Sequence, residues 1–145
     1  MKLLLDANVV LDVLAKREPH WPASARVMAH IDGRKVHGLI AAHTLTTIDY
    51  LLNKHLSRKK ARSAIIQLLH TLHVATVNHD VMLEALSLGW NDFEDAVQAT
   101  SALHAKASHI ITRNPRDFSV LAIPVYTPEE FLRVNDIDVE PKNGD

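Results

Sequence analysis

Short apolar runs alternate with longer stretches of helical periodicity along the whole chain. This pattern predicts strands at Lys2–Leu5, Val36–Ala41, Val74–Val77, Ser108–Thr112 and Pro124–Tyr126. It predicts helices at Val9–Leu14, Ala23–Ile31, Thr44–Leu56, Arg58–Leu69, His79–Leu88, Phe93–Lys106 and Thr127–Val134. Because neighbouring parallel strands need crossover helices, the alternation predicts a layered α/β fold with a mainly parallel sheet.

Size and composition are typical of one domain with a real hydrophobic core. Of the 145 residues 47% are hydrophobic, and we expect a single domain over residues 1–134 with a flexible tail at 135–145. Without cysteine the chain can form no disulfide, thiolate zinc site or cysteine nucleophile. No apolar run is long enough for a membrane span, and the apolar start is too short for a secretory signal, so we expect a cytoplasmic protein.

Charge and histidine content narrow the possible partners. A formal net charge of −1 lacks the basic excess of proteins that bind nucleic acid mainly by neutralising phosphates. Basic patches that remain candidates for substrate contacts lie at Arg34 with Lys35, at Arg58–Arg62, and at Arg113 with Arg116. The ten histidines show no tight ligand spacing, so we expect them to be core or surface residues.

Polar residues directly follow two of the predicted strands. Asp6 comes after the first strand, while Asn114 and Asp117 follow the strand that ends at Thr112. In open parallel sheets, sites form in the crevice beyond the carboxyl ends of the strands. Each residue also has a purely structural interpretation, since Asp6 can cap a helix and an Asn-Pro pair followed by Asp is ordinary turn chemistry.

Further acids lie on two predicted helices. Asp92 and Asp95 are three residues apart, so they share a flank of one first turn while Glu94 points to the other side. A capping arrangement explains this pair equally well. Asp49 borders the apolar stripe of its helix and, when partly buried, needs a cation, a hydrogen-bond cluster or a metal ion as partner; a hydrogen bond to Asn53 is the simpler alternative.

Three segments together resemble the signature blocks of the PIN-domain family. Their sequences are Leu-Leu-Leu-Asp6-Ala7-Asn8-Val9-Val10-Leu11-Asp12, Asp92-Phe93-Glu94-Asp95-Ala96 and Thr112-Arg113-Asn114-Pro115-Arg116-Asp117-Phe118. Their order and spacing also match, and the similarity extends to the last predicted strand and helix. The resemblance implies a three-layer α/β/α sandwich with a central, mainly parallel, Rossmann-like sheet. Within the family it resembles the small VapC-like toxin ribonucleases.

The resemblance also implies a function and a set of site residues. It implies a metal-dependent endoribonuclease that uses Mg²⁺ or Mn²⁺, acts as the toxin of a type II toxin–antitoxin pair, and has RNA, an antitoxin and a second copy of itself as partners. The implied catalytic residues are Asp6, Asp49, Asp95, Asn114 and Asp117, with Asp6, Asp95, Asp117 and Asp92 as metal ligands and Arg113, Arg116, Asn8 and Thr112 as substrate contacts. Asp49 departs from the pattern, because the family usually has a glutamate in that helix.

Two other functions stay open at this point. A degenerate PIN scaffold would bind RNA or a protein without cutting, as the aspartate in place of the usual glutamate suggests. A receiver-like signalling domain is also a parallel α/β fold with acids at strand ends. It would be expected to carry paired acids after its first strand, whereas Asp6 is followed by Ala7 and Asn8.

Overall fold

The computed structural model describes residues 1–118 and 121–135, and these form five strands, seven α-helices and one 3₁₀ turn. The strands are β1 Lys2–Leu5, β2 His37–Ala41, β3 His73–Ala75, β4 His109–Ile111 and β5 Val125–Tyr126. The helices are α1 Ala7–Ala15, α2 Trp21–Asp32, α3 Ala42–Asn53, α4 Arg58–Thr71, α5 His79–Ser87, α6 Phe93–His104 and α7 Pro128–Asn135, with the 3₁₀ turn at Pro115–Asp117. None of these helices is long and apolar enough to cross a membrane. The tail predicted for 135–145 lies outside the described residues, except Asn135, which ends α7.

All four strand pairings are parallel, in the order β3-β2-β1-β4-β5. The central strand β1 is hydrophobic on both faces, and Leu3, Leu4 and Leu5 have no exposed surface. Leu3 and Leu5 pack in a core with helices α1 to α4 and α7, whereas Leu4 packs in a second core with α6. Helices therefore cover both faces of the sheet, which confirms the three-layer α/β/α sandwich.

The strand order fixes where a site can form. From β1 the chain adds β2 and β3 on one side of the sheet and later adds β4 and β5 on the other. The carboxyl ends of β1 and β4 therefore lie side by side at the point where the order reverses, which is where open α/β sheets bind ligands. Receiver domains have the strand order 2-1-3-4-5, so the topology argues against a receiver-like function.

Sequence analysis predicted the type of these elements correctly but missed some helix boundaries and buried faces. Helix α2 begins at Trp21, ahead of the expected Ala23, because Pro22 is tolerated in a first turn where its missing N–H needs no partner. Helical spacing in the sequence predicts an apolar stripe on α6 that includes Phe93 and Leu103, yet both are exposed, and the helix instead buries the continuous run 96–102. That run consists of small residues apart from Val97 and Gln98, so α6 can pack closely against the sheet.

Candidate active site

Asp6 lies at the carboxyl end of β1, where it caps α1 and anchors a hydrogen-bond network. Its Oδ1 accepts from the backbone N–H of Ala7 at 2.7 Å and from Nε2 of Gln98 in α6 at 3.0 Å. Its Oδ2 accepts from Oγ1 of Thr112 at 2.8 Å and, at a longer 3.4 Å, from Nδ2 of Asn8. Donors from α1 and from two remote segments therefore fix both oxygens of a carboxylate that is only 9% exposed.

The segment that follows β4 is held against α1 by polar contacts. Asn8 Oδ1 accepts a hydrogen bond from the backbone N–H of Arg113 at 3.2 Å, and Thr112 Oγ1 accepts one from the backbone N–H of Asn114 at 3.2 Å. Asn8 and Thr112, predicted as substrate contacts, thus direct their polar atoms towards Asp6 and the backbone around it. In this structure they position the acid and the loop.

A buried acid in α1 holds the side chain of Arg113. Asp12 has no exposed surface, and its carboxylate pairs with Nε of Arg113 at 2.7 Å and Nε of Arg17 at 2.8 Å. A buried carboxylate needs such partners, because removing an unpaired charge from water costs on the order of several kcal/mol. Arg113, which sequence analysis predicted to bind substrate, therefore has its Nε engaged within the protein.

Asp92 and Asp95 form the acidic first turn of α6. Asp92 is the N-cap, and its Oδ1 accepts from the backbone N–H of Asp95 at 3.0 Å, so the capping interpretation of Asp92 is correct. The carboxyl group of Asp95 takes no part in that hydrogen bond. Burial, and then the negative charges of Asp92, Asp6, Asp117 and Glu94, raise the pKa of Asp95 to about 7.

The causes of this pKa shift show that the predicted acids converge. Asp6 follows β1, Asp95 lies in α6 and Asp117 lies in the turn after β4, yet the charges of Asp6 and Asp117 both act on the carboxyl of Asp95. Asp92, Asp95, Asp117 and Arg116 also line one open cleft of about 430 Å³. Asn114 lies at the start of the 3₁₀ turn, where its carbonyl accepts from the backbone N–H of Asp117 at 3.0 Å.

Asp49 does not join this group. Its Oδ1 accepts from Nε of Arg62 in α4 at 3.1 Å, and its side chain is 23% exposed. The cation that sequence analysis required as a partner for Asp49 is thus an arginine. Asn53 makes its hydrogen bond to the backbone carbonyl of Asp49 and not to the carboxylate. The structure gives no support for the catalytic role expected of Asp49.

The donor set fits a hard divalent cation. Carboxylate oxygens are the ligands that Mg²⁺ and Mn²⁺ prefer, and Mg²⁺ is usually held by one or two carboxylates together with several waters. Burial and then the neighbouring carboxylates raise the pKa of Asp95, and a divalent ion bound there would lower it. Among residues 1–118 and 121–135, no group of three acids or histidines is placed to hold a metal ion by itself. A divalent ion in this cleft would need water or substrate oxygens as further ligands.

Sequence analysis missed two polar residues beside the acids. Gln98 is 1% exposed and donates to Asp6, and its signal was a long polar side chain within a buried run of small residues. His43, in the first turn of α3, is close enough to Glu94 and Asp6 for both charges to affect its pKa. Glu94, expected on the far flank of α6, therefore faces α3. His43 gave no signal in the sequence, because its neighbours come from other elements.

Comparison with known proteins identifies the relatives of this fold. The family model described as the PIN domain matches residues 2–116. No curated protein matches the chain at a significant level.

Solved structures of low sequence identity share the fold. VapBC-1 from nontypeable Haemophilus influenzae superposes with a TM-score of 0.69 at 16% identity, covering 89% of this chain and 99% of that one. VapBC2 from Rickettsia felis, bound to a DNA fragment from its promoter, gives 0.67 at 14% identity, covering 86% and 97%. The sarcin-ricin loop cleaving toxin VapC20 from Mycobacterium tuberculosis gives 0.61 at 16% identity, covering 74% and 86%.

Proposed function

This chain belongs to the PIN-domain family, and on that premise we propose that it is a metal-dependent endoribonuclease that hydrolyses RNA phosphodiester bonds. The observation that carries the proposal is the convergence of Asp6, Asp95 and Asp117 from three remote segments, with the pKa of Asp95 raised to about 7. Structural roles alone explain neither that concentration of negative charge nor its position at the carboxyl edge of the sheet.

In the proposed site, Asp6 and Asp95 hold Mg²⁺ or Mn²⁺, with Asp117 and Asp92 at its border. Bound there, the ion lowers the pKa of a coordinated water and neutralises charge on the phosphate oxygens. Gln98 and Thr112 fix the Asp6 carboxylate through the hydrogen bonds described above, and Asn114 shapes the turn that carries Asp117. Asp49 is left out of the site because Arg62 pairs with its carboxylate.

In the proposed site, Arg116 is the residue that contacts the RNA substrate. It is exposed and lines the same cleft as Asp92, Asp95 and Asp117, whereas the Nε of Arg113 pairs with the buried Asp12. A guanidinium at the cleft can bind a phosphate of RNA next to the one that is cleaved.

The toxin role is part of the same proposal. Relatives of the same fold are described as toxin–antitoxin assemblies, for example one from Klebsiella pneumoniae. An antitoxin would block the acidic cleft, with an arginine or lysine directed at the aspartates. Ile66 and Leu69 of α4 are 58% and 47% exposed, and we propose that they contribute to a homodimer. The protein would act in the cytoplasm, where its RNA substrate is found.

Cleavage of a labelled RNA in Mg²⁺ tests the enzyme. Asp6→Asn and Asp95→Asn remove the proposed ligands, and each is expected to lower the cleavage rate by more than about tenfold. Asp80→Asn, an exposed acid in the first turn of α5, is the matched control and is expected to cleave like the wild type.

Two results would contradict the proposal. Rates within about threefold of wild type for both site variants would exclude these acids as ligands. A wild-type protein that binds RNA but neither binds Mn²⁺ nor cleaves would be a degenerate scaffold. For the toxin role, induced expression of the wild type is expected to arrest growth of a bacterial host, and Asp6→Asn is expected to relieve the arrest.

A further inference from the structure

His43 is placed by the sheet at the edge where the acids converge. Helix α3 starts directly after β2, and His43 is its second residue. β2 pairs with β1 in the register Lys2↔His37 to Leu4↔Leu39, and continuing this register by two residues puts Ala41 beside Asp6. The first turn of α3 therefore begins next to the best-fixed acid of the site.

The imidazole of His43 is buried beside the backbone of Glu94, which is close enough to hydrogen-bond one ring nitrogen. Neither Nδ1 nor Nε2 makes a hydrogen bond of good geometry among the described residues. The carboxylates of Glu94 and Asp6 are near enough to raise the pKa of His43, but burial outweighs them and lowers it. One backbone carbonyl can pair with only one ring nitrogen, so the other nitrogen is left for water or a ligand.

His43 and Asp49 lie on different faces of α3. Six residues separate them, which corresponds to about 9 Å along the helix axis and roughly 120° around it. The Asp49 face turns towards Arg62 of α4, while the His43 face turns towards Asp6 and Glu94. Helix α3 can therefore present His43 to the site but not Asp49.

We infer that His43 is the residue that α3 contributes to the site, as a positioning residue whose ring nitrogen hydrogen-bonds a water carried by the divalent ion at Asp6 and Asp95. The inference rests on the proposed function and deepens it. Mg²⁺ keeps several of its waters and takes oxygen ligands, so the imidazole acts through water and not as a direct ligand. The same contact satisfies a ring nitrogen that the protein leaves without a partner.

Nuclear magnetic resonance of the histidine ring nitrogens tests the contact without measuring activity. Adding Mg²⁺ to the wild type is expected to shift the His43 ring signals, assigned by their loss in His43→Gln. In Asp6→Asn the shift is expected to disappear. If Mg²⁺ shifts the backbone amide signal of Asp95 but leaves the His43 ring signals unchanged, the inference is overturned. Absence of any Mg²⁺ response would instead contradict the proposed function.

Kinetics test the positioning role. His43→Ala is expected to lower kcat by about tenfold to a hundredfold while KM for RNA stays within about twofold, because the water is lost and not the substrate contact. His43→Gln or His43→Asn should recover part of kcat, depending on whether Nε2 or Nδ1 makes the contact. Asp49→Asn, on the other face of α3, is the matched control and should keep the wild-type kcat. Wild-type kcat in folded His43→Ala, or no recovery in either amide variant, would overturn the positioning role.

Discussion

Asp6 shows how one side chain can cap a helix and still belong to a site. The backbone N–H of Ala7 and the side chains of Gln98 and Thr112 hold its two oxygens in a fixed orientation. Sequence analysis treated capping and metal binding as alternatives for this residue. The structure shows the cap, and the proposed function adds the metal ion. A carboxylate whose geometry is fixed by its neighbours needs no reorganisation when a cation arrives.

The raised pKa of Asp95 predicts a stability that falls with pH when no divalent ion is present. In the unfolded chain this carboxyl has its ordinary pKa of 3.8, and in the folded protein the pKa is about 7. The folded state therefore binds this proton more tightly than the unfolded chain does. Ionisation of Asp95 costs the folded state no stability below about pH 3.8 and its full cost above about pH 7. With a chelator present, the Tm of the wild type is expected to fall relative to that of Asp95→Asn as the pH rises from about 4 to about 7, and to level off above about pH 7.

Mg²⁺ and one variant provide the controls for this prediction. Mg²⁺ should raise the Tm most at the alkaline end, where Asp95 is ionised and repelled by Asp6 and Asp117. In Asp95→Asn, both the decline of the Tm with pH and the increase of the Tm by Mg²⁺ should disappear. His43 and His109, whose pKa values are lowered from 6.5, are present in both proteins, so the difference in Tm between wild type and Asp95→Asn isolates the effect of Asp95. A Tm that rises with pH in wild type but not in Asp95→Asn would contradict the expected sign.

At the scale of elements, the packing of β2 against its helices leaves no room for a side chain at Gly38. A Cβ there would lie 2.5 Å from Cδ2 of Leu72 and 2.8 Å from Cγ2 of Ile31. Both neighbours are almost completely buried, so neither can move aside without disturbing the core. The glycine lets α2 and the end of α4 approach the strand that leads to His43 and α3.

Gly38→Ala is therefore expected to destabilise the fold by about 1–3 kcal/mol through overpacking. Urea denaturation followed by circular dichroism measures the loss. Ile31→Val removes Cδ1, which would lie 2.9 Å from the new Cβ, and in the Gly38→Ala background it should recover part of the stability. An unchanged denaturation midpoint for Gly38→Ala would show that the core is looser at this position than the structure indicates.

At the scale of the whole molecule, the net charge of −1 means that RNA binding depends on local positive charge. The proposed cleft is itself acidic, with Asp92, Asp95 and Asp117 on its walls and Arg116 among them. A divalent ion and this arginine would together supply the attraction for phosphate that the overall charge lacks.

Arg116→Ala is expected to raise KM for RNA and to leave kcat nearly unchanged. The salt dependence of RNA binding, measured as the slope of log affinity against log salt concentration, should become shallower by about 0.7 for one lost phosphate contact on a single strand. Arg133→Ala, an exposed arginine in the last turn of α7, should keep the wild-type slope. Equal slopes for all three proteins would remove Arg116 from the substrate site.

Much of the fold was predictable because strands and helices leave periodic patterns in the sequence. The run Leu3 to Leu5 indicated a buried central strand, and the three-layer architecture and the PIN resemblance are both confirmed. Boundaries were less accurate, as at Trp21, because helix ends depend on local contacts. Phe93 and Leu103 were expected in the core of α6 and are exposed, since the tight approach of α6 to the sheet favours its small residues.

The sequence by itself determined which acids are available and which segments become strands, because both follow from residue type and short-range periodicity. Only the tertiary structure decided which acids meet. It turned Asp49 towards Arg62, buried Asp12 between two arginines, and placed Gln98 and His43 beside Asp6. The physical reason is that the charge state and orientation of a side chain depend on its neighbours in space, and here those neighbours come from elements far apart in the chain.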